Sequence, residues 1–305
     1  MAKSALVTGA HGFIGRHVAR ALSKKGFRVT GLGHGKWLPE EWEIWGISAW
    51  EESDVTLGAL LTQASVPDVI VHCAGSGSVG HSVTRPYDDF LRTVGTTAAL
   101  LEFMRLYAPE SALVYPSSAA VYGHADRMPI AETDPLRPAS PYGAHKQAAE
   151  QLCAAHASNY SINVAIIRLF SVYGSGLRKQ LLWDACSRIS KGGAEFSGTG
   201  EEQRDWLHID DAVSLLMLAL DHANSDCMVL NGGSGQAATV AQVLGEISNA
   251  LNRNIPVRFN GQVRQMDPVA YVADTSRARA LGWNPAMQWR DGVREYARWF
   301  ASGAN

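Results

Sequence analysis

Along this chain, short apolar runs closed by glycine alternate with stretches in which apolar residues return every three or four positions. Ser4–Thr8 reads as a strand, and 13–25 as a helix with Ile14, Val18, Ala21 and Leu22 on one face. Further strands are expected at 28–32, 68–73 (DVIVHC), 112–116 and 164–170 (VAIIRLF), with helices at 91–107 and 140–159. A helix that buries one stripe repeats at 3.6 residues, whereas a strand buried on both faces is apolar throughout. Their alternation predicts an α/β fold whose parallel sheet carries helices on both faces. Beyond 170 the pattern loosens. Helices are expected at 183–191, 213–222, 240–251 and 292–301, a strand at 228–231, and a glycine-rich stretch at 192–200. Residues 36–54 carry Trp37, Trp42, Trp45 and Trp50 and read as a long packed loop. This division suggests one domain over 1–170, to which 204–235 returns, and a smaller, interleaved C-terminal domain over 171–203 and 236–305.

Composition narrows the functions open to such a chain. A net charge of −2 over 305 residues provides no basic face for a polyanion, so nucleic acid is not an expected partner. Cys73, Cys153, Cys186 and Cys227 are scattered without paired spacing, which favours reduced thiols over a disulfide framework or a zinc site. The opening MAKSALVTGA reads as a strand rather than a leader, and no window approaches the roughly 20 apolar residues of a membrane helix. A cytoplasmic protein without a membrane partner is expected.

Between the first strand and the first helix, Thr8-Gly9-Ala10-His11-Gly12-Phe13-Ile14-Gly15 spaces its glycines as GxxGxxG. Gly9 suits a tight turn, Gly12 lets the backbone approach a pyrophosphate, and Gly15 allows the helix to pack closely on the strand. The helix start then offers N–H groups and the positive end of its dipole to phosphates. With His11, Phe13 and Ile14, this loop is the expected dinucleotide cradle of a Rossmann-type, doubly wound parallel sheet. An NAD site ordinarily has a carboxylate at the end of the second strand, for the ribose 2′-hydroxyl. Here that place reads Gly31-Leu32-Gly33-His34-Gly35-Lys36. His34 and Lys36, next to Gly33 and helped by Arg16, can meet a 2′-phosphate, so the cofactor is expected to be NADP or NAD, with the missing acid favouring NADP.

Tyr142 and Lys146 lie four apart on an expected helix, hence on one face. An ammonium beside a phenol favours the phenolate, and such a tyrosine can exchange a proton with a sugar hydroxyl as hydride leaves or returns. Ser118 stands at the end of a parallel strand, where α/β enzymes bind ligands.

With these pieces in order, the sequence resembles the extended short-chain dehydrogenase/reductase family, in its nucleotide-sugar epimerase/dehydratase group. The matching segments are TGAHGFIG at 8–15, HCAG at 72–75, SSAAVYG at 117–123, SPYGAHK at 140–146, RLFSVYG at 168–174, RDWLHIDD at 204–211 and ADTSRARALGW at 273–283. The resemblance implies a nucleoside-diphosphate sugar as substrate and makes the smaller domain the one that binds it. It implies Tyr142 as acid/base, with Lys146 tuning it and contacting the nicotinamide ribose. Ser118 would hold the substrate oxygen, and Arg204 and Arg264 the diphosphate; Tyr122 either lines the sugar pocket or packs in the core. Ala74 falls in the cofactor-facing HCAG segment. Thr93 stands where an Asn often contacts the cofactor, and Ser171 where an Asn contacts the substrate. A homodimer through the helices at 91–107 and 140–159 is also implied.

The residues after Ser118 discriminate among reactions. The group's 4,6-dehydratases carry an Asp-Glu pair there, its decarboxylases a Glu and its fucose-synthase type a Cys; this chain has Ala119 and Ala120, whose methyl groups move no protons. Epimerisation at C4 of an NDP-hexose and reduction of a 4-keto nucleotide sugar by NADPH both remain. Val79-Gly80-His81-Ser82-Val83 is similar to the galactose-type 4-epimerases and favours the first. A non-catalytic NADP-binding regulator is the reading from another class, against which intact Ser118, Tyr142 and Lys146 count. No metal is expected: His208, Asp210 and Asp211 read as a strand end and helix cap, and His72 with Cys73 as core.

Overall fold

A computed structural model of the protein describes residues 3–63, 65–253, 255–262 and 269–303. Its strands are β1 (Ser4–Thr8), β2 (Arg28–Gly33), β3 (Ile47–Glu52), β4 (Val69–His72), β5 (Ala112–Ser118), β6 (Asn163–Leu169), β7 (Ser171–Tyr173), β8 (Glu195–Phe196), β9 (Gln203–His208), β10 (Met228–Gly232), β11 (Ala237–Thr239), β12 (Arg258–Phe259) and β13 (Ala270–Tyr271). Its helices are α1 (Phe13–Lys24), α2 (Pro39–Glu43), α3 (Leu57–Leu61), α4 (Val79–Thr84), α5 (Pro86–Phe90), α6 (Thr96–Tyr107), α7 (Pro141–Tyr160), α8 (Gln180–Ser190), α9 (Ile209–His222), α10 (Val240–Ala250), α11 (Ser276–Ala280) and α12 (Trp289–Ala301).

Seven strands form one sheet in the order β10-β6-β5-β4-β1-β2-β3. The pairs β1–β2, β1–β4, β2–β3, β4–β5 and β5–β6 are parallel. Strand order reverses between β1 and β4, so the loops leaving these two strands open on the crevice where such sheets hold ligands. Val7, Ile70, Val71, Leu113 and Val114 are fully buried in the sheet, as the continuous apolar runs require. Leu22 of α1, Leu100 and Leu101 of α6 and Cys153 of α7 are equally buried. Each such aliphatic side chain contributes about 1.5–3 kcal/mol by leaving water.

The chain separates into two compact units. One takes the described residues within 1–124, 135–169 and 213–230; the other takes those within 125–134, 170–212 and 231–305. The segment 125–134 therefore groups with the second unit, and the returning segment is 213–230, shorter than 204–235. In the second unit β9 pairs with β11, β13 and β7, and β8 pairs with β12. Asp205, fully buried on β9, accepts backbone N–H groups of Ser234, Gly235 and Ala273, tying distant segments to that strand.

Residues 36–54 are not a single loop: they hold α2 and the edge strand β3. Only Ile47 of β3 is buried, so the polar edge strand shows no apolar run. Trp50 of β3 lies over β2, where a Cβ on Gly31 would come within 3.0 Å of its ring. The helix expected from 91 starts instead with a wide π turn, Leu91–Gly95, before α6. His208 ends β9, and Asp210 and Asp211 sit in the first turn of α9. Among the described residues no cluster of His, Cys, Asp or Glu is arranged to hold a metal, and no helix is long and apolar enough to cross a membrane.

Candidate active site

The loop between β1 and α1 is shaped by close backbone approach. Gly9 has φ +67, and its N–H donates to Leu32 O at 2.6 Å. A Cβ on Gly9 would stand 2.6 Å from Ala74 N, so the loop presses on the segment that leaves β4. A Cβ on Gly15 would run into Gly9 O, and one on Gly12 would approach that oxygen to 3.0 Å. Gly12 caps α1 without a side chain, and the first turn holds no acidic residue. The opening N–H groups of a helix have no acceptor within it. Here no carboxylate stands in that turn to compete for them, which fits a pyrophosphate. Phe13 and Ile14 are half-buried beside it. Across the crevice, Ala74 N donates to Thr8 Oγ1 at 3.2 Å, and Thr8 Oγ1 lies 2.6 Å from His72 Nδ1. Burial drives His72 down to about 3, so it is a neutral packing residue.

At the end of β2, Gly33 is buried and gives way to His34, whose Nε2 lies 2.7 Å from Asp54 Oδ1. β2 itself carries no acid at this end; the carboxylate arrives from Asp54, two residues after β3 ends. His34 is therefore engaged by Asp54, and Lys36 is the exposed cation of this loop. Arg16 lies with its guanidinium 5.6 Å from the Trp37 ring and 5.4 Å from Trp45, and donates to His11 O. His11 packs on Trp37 at 4.7 Å and lies 3.1 Å from His34 O through Nδ1. The tryptophans thus buttress the cradle, as packing residues of this corner.

The reaction end is built on β5 and α7. Ser118 ends β5, and Ser140 caps α7 by accepting Gly143 N–H at 3.2 Å, with Pro141 at the first helical position. This start places Tyr142 in the first turn, pressed against the segment that leaves β5: a Cβ on Gly143 would stand 2.4 Å from Ala120 O. Lys146 is buried one turn on; its Nζ donates to Pro116 O at 3.0 Å and lies 4.8 Å from the Tyr115 ring. The two residues meet at one strand end, but the expected lowering of the phenol by Lys146 is not what this arrangement produces. Burial raises Tyr142 above its ordinary value, the nearby Ser118 hydroxyl opposes it, and the charge of Asp89 adds to it. Burial pulls Lys146 down to about 8, against the carboxylates of Glu150 and Asp89. The Cys73 thiol beside it is itself pushed up to about 12 by burial and stays neutral. Gly75 and Thr93 complete this corner: a Cβ on Gly75 would lie 3.7 Å from Thr93 Oγ1 and 3.9 Å from Lys146 Nζ.

Tyr122 does not line a sugar pocket. It is fully buried, and its hydroxyl accepts from Arg168 Nη1 at 3.0 Å. Arg168 in turn grips Glu150, Nη2 to Oε2 at 2.8 Å, in a buried pair that also accepts from Ser117. Motif position alone could not separate a pocket tyrosine from a packed one, because the deciding partner lies 46 residues away. In the second unit, Ser171 is half-buried opposite Trp206 in the β7–β9 ladder, and half-buried Arg204 on β9 donates to Gln203 O at 2.8 Å. Arg264 lies outside the described residues. Unforeseen in the sequence was Asp89, fully buried on α5 with Oδ2 2.6 Å from His145 Nδ1.

Comparison with known proteins agrees with this geometry. The chain is 30% identical to the UDP-glucose 4-epimerase of Rhizobium leguminosarum bv. trifolii, over 98% of each protein. The structure is similar to that of UDP-glucose 4-epimerase from Thermotoga maritima with UDP-glucose, with a TM-score of 0.89, 25% identity, and 99% of this chain and 100% of that one covered. It is also similar to UDP-glucose-4-epimerase from Stenotrophomonas maltophila with bound NAD and formylated UDP-arabinopyranose, with a TM-score of 0.88, 27% identity and 99% of both chains covered. The model of the NAD dependent epimerase/dehydratase family matches residues 5–231. The chain belongs to the NAD dependent epimerase/dehydratase family.

Proposed function

We propose that this chain is a 4-epimerase of UDP-sugars that keeps its dinucleotide bound through turnover. The observation that carries this reading is the corner at the end of β5. Ser118 ends the strand there, Tyr142 stands in the first turn of α7 with Lys146 one turn further along, and Ser118 is followed only by the methyl groups of Ala119 and Ala120. Elimination of water needs a further acid–base pair at those positions, which methyl groups cannot supply. Moving one proton to and from a sugar hydroxyl needs only what is present. The similarity to UDP-glucose 4-epimerases, and to a structure with NAD and a UDP-sugar bound, supports the substrate class.

The dinucleotide supplies, when bound, a reversible hydride acceptor for C4 of the sugar. Tyr142 takes the proton of the C4 hydroxyl and later returns it, and Ser118 holds the same oxygen. Lys146 holds the nicotinamide ribose, keeping positive charge near the phenol. Gly9, His11, Gly12, Phe13, Ile14 and Gly15 form the pyrophosphate cradle, with Gly33 at the ribose and Ala74 and Thr93 on the nicotinamide side. Arg204, Arg264 and Ser171 are assigned to the nucleotide-sugar. We read the dinucleotide as NAD: Asp54 occupies His34, which removes half of the expected phosphate site and brings a carboxylate to the ribose corner. A preference for NADP would rest on Lys36. Exposed Leu106, Tyr107 and Tyr160 at the ends of α6 and α7 support a homodimer through these helices, and four free cysteines support a cytoplasmic location.

The test is to denature the purified protein and identify what it releases. NAD at high occupancy, unchanged by turnover, is the expected result. A protein purified empty that consumes NADPH with a 4-keto nucleotide sugar would replace this reading with that of a reductase.

A further inference from the structure

We propose that the buried Asp89–His145 pair is a positioning and charge-balancing element for Tyr142 and Lys146, acting on them from the side of α5. The inference rests on the assignment of Tyr142 as the proton-transfer residue. Asp89 has no exposed surface, its Oδ2 lies 2.6 Å from His145 Nδ1, and its Oδ1 is buried without a hydrogen-bond partner. His145 is three residues after Tyr142 and directly precedes Lys146, on the first turns of α7. The Phe90 ring stands edge-on to the imidazole at 5.6 Å and covers the pair. A second contact comes from the same side: buried Ser82 of α4 accepts the backbone N–H of Tyr142 at 3.0 Å. Two side chains from the short helices α4 and α5 thus peg the turn that carries the tyrosine.

A buried carboxylate is costly unless its charge is used or matched. Of the two carboxylates acting on Lys146, Glu150 is matched by the guanidinium of Arg168, whereas Asp89 meets the imidazole of His145. Elsewhere on the elements packed against this end of α7, Asp88 pairs with Arg85, Arg92 is exposed, and His81 lies on α4. Burial holds Tyr115 and Cys73 protonated and His72 neutral, so these three bring no charge to the corner at neutral pH. The negative charge of Asp89 reaches both Tyr142 and Lys146, favouring the protonated form of each. That direction suits a residue that must return its proton. Burial favours the phenol, the Ser118 hydroxyl opposes it, and Asp89 adds to burial, so a proton stays on Tyr142 to be given back.

The experiment follows the Tyr142 phenol directly, by NMR of protein labelled at the tyrosine ring carbon bearing oxygen, with Tyr142→Phe assigning the signal. In Asp89→Asn the Tyr142 titration is expected to move to lower pH, by roughly one unit, the tenfold change in acidity that a nearby buried charge commonly makes. The low-pH limb of kcat moves with it, while KM stays within twofold. In His145→Gln the carboxylate remains, so the titration does not fall. Should Asp89→Asn not fold, the double variant Asp89→Leu with His145→Leu removes both partners, leaves no orphan, and carries the same expected fall. An unmoved titration in Asp89→Asn or the double variant, or the same fall in His145→Gln, overturns the proposal. The NMR titration needs no substrate, so it stands even if epimerisation fails, and an active enzyme with an unmoved titration sinks this inference alone.

Discussion

The two ends of the dinucleotide crevice solve their electrostatics differently. At the adenosine end, His34 and Asp54 meet in water, both about three-quarters exposed, and aromatic rings provide the rigidity. At the reaction end, Asp89, Lys146 and Glu150 are buried, and each charge needs a named partner. An exposed pair is screened and adaptable, so its loss costs little. A buried charge acts strongly on its neighbours, so its loss changes their chemistry. On the proposed function, the proton chemistry belongs at the strand end of β5 and the choice of dinucleotide falls to a few exchangeable surface groups.

The largest effect that separates the two ends is expected from Tyr142→Phe. Epimerisation should fall by roughly 10²–10⁴-fold, as for loss of an acid/base, while dinucleotide retention is unchanged. Activity left intact would mean that the chain works as a binder and the reaction end is only packing.

Acid stability distinguishes the buried end next. His72 is held near 3 in the folded protein against an ordinary 6.5. The unfolded chain therefore binds a proton that the native state refuses throughout that window. Stability is complete above pH 6.5 and declines as pH falls, by about 1.4 kcal/mol per unit from this group. Denaturant unfolding at successive pH values should show a shallower decline in His72→Gln. Equal slopes would place the acid sensitivity elsewhere.

Between these ends, Gly9→Ala should cost about 1–3 kcal/mol in stability, because φ +67 disfavours a side chain and the added Cβ meets Ala74 N at 2.6 Å. It should also release the dinucleotide, read by absorbance of the purified protein. A variant that still retains it would show that the cradle is not the phosphate site.

The smallest effect is expected at the exposed end. Asp54→Asn should change stability by less than about 1 kcal/mol. By freeing His34 it should improve NADP binding relative to NAD, measured by competition. An unchanged ratio would remove His34 from the cofactor site.

The same contrast decides what was legible in the sequence. Glycines at 9, 12 and 15 and the apolar runs of β1, β4, β5 and β6 announce themselves locally, because backbone approach and burial on both faces leave dense signals. Ser118, Tyr142 and Lys146 were legible as a set through their order and spacing. The partnerships that depend on distant residues were not. Asp89 and His145 are 56 residues apart, His34 meets an acid from the next strand, and Tyr122 is turned inward by Arg168. Each depends on which elements become neighbours, and local pattern does not carry that information. β3 went unread because an edge strand with one buried residue lacks the alternation that marks its kind.

The central claim is reversible inversion at C4 by Tyr142 and Ser118 with a retained dinucleotide. Its most direct test is to supply UDP-galactose deuterated at C4, with no added cofactor, and to follow the sugar by NMR. The account predicts UDP-glucose with the label still at C4, and no such product from Tyr142→Phe. If the label washes out at C4, or no epimer forms from UDP-galactose or from the UDP-glucuronate and UDP-N-acetylglucosamine pairs, the account is contradicted.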